Sequence, residues 1–348
     1  MSKICYTYAV VSKIRIGILG CAKVAEKYAI NAFRAIDNAE VIGIASRDSA
    51  KASDWASRFG IKSAMTYESL LAANEIDAVY IPLPIGLHKE WAVKAAAAKK
   101  HIICEKSLAE NLSSAKEIVD ACRKNNVVLY ENFMCDYHPQ HQKTLSLIRE
   151  GKIGRPFIFN GYFGFTLTDK KNFRFKKDLG GGSLNDAGAY TVFMARKIFG
   201  GEPRAVTCRL FYDNEVDTRG VAIMEFPDEM AAHISFSFES VYQNGYSILG
   251  GTGLIKVNRA YSIPADMKPT VKLITNENLT EIETAIDVPA ANHFELIFHN
   301  FCDTIINKEK KTDRIEDIFS KIINQAKTLE ALRLSAKEDR KIKLAEIS

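Results

Sequence analysis

Lys106, Asp186 and Tyr190 are the residues of this chain whose types and settings invite chemistry. Lys106 follows Ile102, Ile103 and Cys104, so it stands at the end of a buried strand, where an ammonium gains nothing from burial. There it can stabilise charge developing on a substrate oxygen, or it can cap the strand and reach water along its own stem. Asp186 and Tyr190 lie four residues apart in a helical stretch after Gly180-Gly181-Gly182, so they share one helix face. A phenol relays a proton to a substrate oxygen if its pKa is drawn down, and a nearby ammonium such as that of Lys106 does this. A competing reading is structural: Ser183-x-x-Asp186 has the spacing of a capping box, which would leave Tyr190 as a core tyrosine.

The elements that must position these groups follow from hydrophobic periodicity. Between residue 14 and about residue 130, short apolar runs alternate with helical stretches. IRIGIL (14–19), EVIGIAS (40–46), DAVYIPL (77–83), HIICE (101–105) and VVLYENF (127–133) read as strands, with helices over 22–36, 49–60, 89–100 and 113–126. This alternation predicts an α/β fold that opens with a Rossmann doubly wound parallel sheet. Its near-continuous apolar strands fit burial on both faces.

The texture changes near residue 150, after the turn-rich EGKIGRP. FIFNGYFGF, AVTCRLFY, GVAIMEF and AHISFSFES alternate with period two; in the last, Ile234, Phe236 and Phe238 face one way and His233, Ser235 and Ser237 the other. An α+β domain with a large, mostly antiparallel open sheet is expected. One helix, SLNDAGAYTVFMARKIFGG, interrupts it. The tail from His293 to about Ala336 is helical, with Phe294, Ile297, Phe298 and Phe301 on one stripe. The chain holds no internal repeat and no low-complexity segment.

In a doubly wound sheet, ligands bind outside the carboxyl ends of the strands, which is where Lys106 falls. GILGCAKVA (17–25) joins the first strand to its helix and maps Gly20, Ala22 and Ala25 onto G-x-G-x-x-G. Gly20 permits the tight turn, a small residue at 22 lets backbone approach a phosphate, and helix N–H groups face the anion. Gly20, Cys21, Ala22, Lys23 and Val24 are therefore the candidate pyrophosphate-binding residues; the alternative is a glycine turn with no ligand. The second strand ends Ala45-Ser46-Arg47, with no acid before Asp48. A hydroxyl and a guanidinium suit a ribose 2′-phosphate, so Ser46 and Arg47 select NADP (NADPH) rather than NAD. The opposing reading makes Arg47 a surface arginine and sends Asp48 to the ribose.

Composition excludes several classes. At 348 residues with 47% hydrophobic and 26% charged side chains, the chain is an ordinary globular protein of one large or two ordinary domains. Its net charge of +5 is spread thinly, and NKEKKTDR (307–314) and KEDRKIK (337–343) mix signs like solvated helix faces, so no nucleic-acid partner is expected. Seven cysteines with no CxxC pair argue against a disulfide framework and against zinc; no metal is expected, and the compartment reads as reducing. CYTYAVV near the start lacks the features of a signal peptide, and no run approaches the roughly 18 apolar residues that span a bilayer. A cytoplasmic protein with no membrane partner is the expectation.

These residues resemble the glucose–fructose oxidoreductase/inositol dehydrogenase family. That family carries a glycine/alanine-rich fingerprint, a P-x-x-x-H element, E-K-P with a catalytic lysine, and a glycine-rich run into D-x-G-x-[HY]. Gly20 to Ala25, Pro84 through His88, Glu105-Lys106 and GGGSLNDAGAY (180–190) follow that order, and ENFMCDYHPQ (131–140) is similar to the element ending the family's first domain. The resemblance runs from about residue 13 to the C-terminal helix. It departs at Ser107, where the family has proline, and at Asp136, where the branch with F-M-x-R-x-H-P has arginine.

The resemblance implies that Lys106 is catalytic, that Tyr190 is the acid/base or the lysine's partner, and that Asp186 holds a substrate hydroxyl. It places Pro82, Leu83, His88, Glu105, Lys106 and Asn132 in the cofactor-binding set, with His88 near the nicotinamide edge unless it merely caps its helix. The expected domains are an NADP-binding one over 1–136 and a substrate-binding and oligomerisation one over 137–348, the C-terminal helix packing back on the first. As in relatives, the open sheet would pair with another subunit, giving a homodimer or homotetramer, with the strand SFSFES as a candidate lining. The implied activity is NADP-dependent interconversion of a secondary alcohol and a ketone on a sugar or sugar-nucleotide substrate, with a nucleotide-linked ketosugar first. An aldose and a trans-dihydrodiol are the alternative substrates, and a non-catalytic NADP-binding regulator is the alternative class.

Overall fold

The computed structural model describes residues 13–348, so the CYTYAVV stretch lies outside the described residues. Six parallel strands form the first sheet: β1 (Ile14–Leu19), β2 (Ala39–Ala45), β3 (Ser63–Met65), β4 (Ala78–Ile81), β5 (His101–Cys104) and β6 (Leu129–Glu131). Their order is β3-β2-β1-β4-β5-β6, so the chain reverses direction across the sheet between β1 and β4. The crossover helices are α1 (Ile30–Ala35, continuing a π turn over Ala25–Ala29), α2 (Ser49–Arg58), α3 (Tyr67–Ala72), α4 (His88–Ala97) and α5 (Leu112–Lys124). The five expected strands are present. β3 and α3 are additions: β3 is three half-exposed or exposed residues, too short and too wet to leave an apolar run.

A single helix, α6 (Pro139–Arg149), leads to the second sheet. Nine strands build it: β7 (Pro156–Thr166), β8 (Ala205–Asp213), β9 (Val216–Glu225), β10 (Ala231–Ser237), β11 (Glu239–Gly250), β12 (Gly253–Asn258), β13 (Thr270–Glu277), β14 (Thr280–Ile286) and the short β15 (Ile342–Lys343). The order is β14-β13-β12-β11-β7-β10-β9-β8-β15, and every pairing is antiparallel except β7 with β10. One face of this sheet is covered by α7 (Ala189–Phe199), which continues a π turn over Leu184–Gly188. Ile234, Phe236 and Phe238 pack on that covered face and are 0–2% exposed. This corrects the expected lining of a subunit contact, because these apolar side chains are already used inside the chain. The opposite face presents Val221, Ile223 and His233.

The helical tail divides into α8 (His293–Ile306) and α9 (Thr312–Glu338). The apolar stripe of α8 lies on the first sheet's helical layer, with Phe298 stacked on Phe33 at 3.9 Å between ring centroids. Phe319 and Ile322 of α9 join the core formed by β5, α4 and α5, while its later residues run beside β8. Both helices therefore tie the second sheet's polypeptide to the first. No helix among the described residues is long and apolar enough to cross a membrane.

Candidate active site

Except for His88, the cofactor residues expected from the sequence fall at or beside the carboxyl edge of the parallel sheet: Gly20, Cys21, Ala22, Lys23 and Val24 after β1, Ser46 and Arg47 after β2, Pro82 and Leu83 after β4, Glu105 and Lys106 after β5, Asn132 after β6. Gly20 adopts φ +126°, a conformation that side-chain-bearing residues rarely take, and a Cβ there would come within 2.7 Å of Leu83. At the end of β2, Asp48 accepts the Lys51 N–H and caps α2, while its own N–H is taken by the Ser46 hydroxyl at 3.1 Å. The aspartate is thus engaged as a cap, and Arg47 beside it is exposed.

Beside the switch in strand order, Glu105 accepts hydrogen bonds from the Tyr80 hydroxyl and the Asn132 side-chain amide, both at 2.6 Å. Burial pushes the Glu105 carboxyl up from its ordinary range, opposed by these two donors. The amide oxygen of Asn132 is buried with no protein partner. A buried acceptor without a donor is costly unless a ligand supplies one. The carboxamide of a nicotinamide ring carries N–H groups of the kind this acceptor would take.

Lys106 donates to the Asp186 carboxylate at 2.7 Å and to the Asp186 backbone carbonyl at 3.0 Å. The ammonium also stands over the Tyr190 ring, 4.7 Å from its centroid. Arg174, which lies on a single helical turn over Phe173–Phe175, donates from Nε to the other Asp186 oxygen at 2.7 Å. Burial opposes charge on Asp186, yet Arg174 and Lys106 together hold its carboxyl far below the usual range, so it is ionised at all ordinary pH. The capping-box alternative does not form. Ser183 and the Leu184 N–H instead bind Asp217 of β9, each at 2.7 Å, leaving Asp186 turned toward the lysine.

Three contacts fix the loop behind Lys106. Ser107 Oγ donates to the Asn185 carbonyl at 3.0 Å, the Leu108 N–H donates to Glu131 at 2.8 Å, and His88 Nδ1 lies 3.0 Å from the Ser107 carbonyl. Burial pushes Glu131 up to about 7.

Two expectations need correction. His88 is fully buried, with its second ring nitrogen 2.7 Å from the Leu83 carbonyl, so it braces two loops and has no nitrogen left for the nicotinamide edge. Tyr190 does not have its pKa drawn down. Burial pushes it well above the ordinary phenol value, with the Glu105 and Asp186 carboxylates adding to the rise; Lys106 faces the ring, and the hydroxyl lies 3.5 Å from Met134 Sδ. Asp136, the other departure from the family pattern, forms an ion pair with Lys197. Arg174 had no signal in the sequence: it sits in the basic run KKNFRFKK among lysines that face water.

The arrangement is a lysine with two of its three N–H groups committed and the third open, at the mouth of a parallel sheet. Such a group can hold or protonate an oxygen that gains negative charge. Among the described residues, no three metal-binding side chains cluster.

Known proteins resemble this chain along most of its length. Residues 14–133 match the model of an oxidoreductase family with the NAD-binding Rossmann fold, and residues 141–256 match the GFO/IDH/MocA C-terminal domain. The chain is 31% identical over 327 residues to a dTDP-3,4-didehydro-2,6-dideoxy-alpha-D-glucose 3-reductase of Actinomadura kijaniata, covering 93% of this chain and 96% of that protein. It is 36% identical to a D-xylose 1-dehydrogenase (NADP(+)) of Haloferax volcanii, over 71% of this chain and 76% of that one. The crystal structure of a 3-ketoreductase from Actinomadura kijaniata, in complex with NADP and TDP-benzene, superimposes with a TM-score of 0.86 at 30% identity, covering 93% and 98% of the two chains.

Proposed function

The chain belongs to the GFO/IDH/MocA oxidoreductases, and on that footing we propose that it is an NADP-dependent reductase of a nucleotide-linked deoxy-ketosugar. Bound NADPH supplies the hydride that reduces the ketone carbon. The loop Gly20 to Val24 would hold the pyrophosphate, Ser46 and Arg47 the 2′-phosphate, and Glu105 with Asn132 the nicotinamide end. The observation that carries the reading is the ammonium of Lys106, pinned by Asp186 with one N–H free at the sheet's carboxyl edge.

Lys106 neutralises the oxygen as it becomes an alkoxide and delivers the proton. Asp186 orients the lysine, since one of its oxygens accepts from Lys106 and the other from Arg174. Tyr190 supports the ammonium with its ring face, and its hydroxyl is a secondary contributor. A free aldose is the second substrate class, because the Haloferax volcanii relative at 36% identity is a D-xylose dehydrogenase.

The test is loss of NADPH absorbance with a dTDP-linked 3-ketosugar, with aldoses and dihydrodiols run alongside in the oxidative direction. Lys106→Ala should lower turnover by about a hundredfold with NADPH affinity kept, and Tyr190→Phe, which retains the ring, should lose less. Absence of turnover with all three substrate classes, or full activity in Lys106→Ala, refutes the assignment.

A further inference from the structure

We propose that Arg174 is a positioning residue of this site: by engaging the far oxygen of Asp186, it keeps that carboxylate from capturing the last free N–H of Lys106. This rests on the reading of Lys106 as the proton-handling group.

The geometry is a shared carboxylate. Arg174 Nε reaches one oxygen of Asp186 at 2.7 Å, Lys106 reaches the other at 2.7 Å, and a second guanidinium nitrogen lies 3.3 Å from the lysine's oxygen. Asp186 is only 8% exposed, so an oxygen deprived of its donor has little water to turn to. It would then turn toward the nearest remaining donor, which is Lys106. An ammonium has three N–H groups, and two already serve Asp186. A carboxylate presenting both oxygens would take the third and draw the ammonium away from the Tyr190 ring and from a substrate oxygen.

The backbone shows that this arginine is placed. The Arg174 N–H is held by the Asn172 side chain at 3.1 Å, and its carbonyl accepts the Gly182 N–H at 3.0 Å. A Cβ at Gly181 would lie 2.5 Å from that same carbonyl, so the glycine run gives the arginine's turn room to lie against the start of the Asp186 helix. Neighbouring cations differ: the side chains of Lys170 and Lys177 are 63% and 70% exposed, against 29% for Arg174. A guanidinium is suited to the task because its fork spans both oxygens of one carboxylate, which an ammonium does not do.

The experiment compares the full-length protein with Arg174→Met, Arg174→Lys and Lys177→Met, with Asp186→Asn alone and combined with Arg174→Met. Arg174→Met should lower kcat by about tenfold, a fraction of the hundredfold that a proton-handling group contributes. KM for the ketosugar and the dissociation constant for NADPH should change less than about threefold. Arg174→Lys should recover part of the loss, and Lys177→Met should leave kcat as it is. In the Asp186→Asn background the arginine change should cost little more, because its effect passes through the carboxylate.

A raised KM with kcat kept would make Arg174 a substrate-binding group and overturn the proposal. Full additivity with Asp186→Asn, or an equal loss in Lys177→Met, would overturn it as well. A crystallographic arm needs no substrate. In Arg174→Met with NADP bound, Asp186 should present both oxygens to Lys106, and an unmoved carboxylate and ammonium would refute the idea. If the intact protein reduces no ketosugar but this rearrangement is seen, the substrate assignment fails and the positioning role stands.

Discussion

Asp186→Ala should destabilise the protein more than Lys106→Ala does, and the shared carboxylate sets the size of the gap. Removing one partner of a buried ion pair costs about 3–5 kcal/mol, mostly because the other charge is left uncompensated. In Lys106→Ala the Asp186 carboxylate keeps Arg174 at 2.7 Å, so no orphaned charge remains. What is lost is two hydrogen bonds to an ammonium, offset by no longer burying that ammonium, for a net of about 1–2 kcal/mol. In Asp186→Ala, Lys106 and Arg174 both lose their counter-ion and face each other across the gap. The Lys106 side chain is 9% exposed and cannot turn to water, although the 29% exposure of Arg174 softens its share. About 3–5 kcal/mol follows for this variant, a gap of about 1–4 kcal/mol and roughly 2 kcal/mol at its centre. At this chain length each kcal/mol moves the melting temperature by about 2 °C, so Asp186→Ala should melt about 4 °C below Lys106→Ala. Differential scanning calorimetry of the cofactor-free proteins measures this directly. If Lys106→Ala melts at or below Asp186→Ala, Arg174 is not sharing the carboxylate and the charge argument fails.

Three further outcomes are expected. NADPH should bind more tightly than NADH, and Arg47→Ala should erode that preference by about tenfold, the worth of one charge-assisted contact at an exposed site; equal dissociation constants in the intact protein would refute the role of Ser46 and Arg47. Stability should fall below neutral pH, because burial holds His141 and His293 at about 3 against an ordinary 6.5. Their folded values lie below their unfolded ones, so their contribution is complete above about pH 6.5 and is lost as the pH falls toward 3; urea unfolding at pH 5.5 should show about 1.4 kcal/mol less stability for each than at pH 7.5, and equal stability would contradict it. Light scattering should show a dimer or tetramer, and Val221→Asp with Ile223→Lys on the uncovered sheet face should release monomer; an intact protein that is monomeric at micromolar concentration would remove the subunit contact.

The parallel half of the fold was legible because its strands are unbroken apolar runs and its helices carry clear stripes. Where the buried face is polar, the pattern fails. The inward residues of α6 are Gln140, His141, Thr144 and Leu147, and three of the four hide from any hydrophobic count. They are buried because they have partners, His141 bonding the Tyr246 hydroxyl at 2.9 Å and the Ala260 carbonyl at 2.8 Å. The strands from β12 to β14 were missed for another reason. They run to the sheet's edge, where only one face is covered: Val257 and Val271 pair on the buried side, while the adjacent pair Lys256 and Lys272 projects to the other. At the site, Lys106 and Asp186 could be found because motif spacing marks them. Arg174 could not, since its separation from the lysine's neighbours exists only after the chain folds, and its composition is that of a solvated loop.

The same charges explain why the site needs both halves of the chain. Lys106 comes from the parallel sheet, whereas Asp186 and Arg174 come from the polypeptide of the antiparallel one. Their formal sum is one net positive charge, which suits an oxygen that becomes an alkoxide and would repel a second ammonium. Were the halves to separate, Lys106 would lose both of its acceptors and Asp186 one of its two cations. The site is therefore also an interface contact, reinforced by the Ser107 hydroxyl on the Asn185 carbonyl and by Arg333 of α9 bonding the Asn185 side chain. Ser107 occupies the place of the family's proline, a residue that could make no such side-chain bond. The departure from the family pattern at Ser107 thus supplies its own anchor, one residue from Lys106.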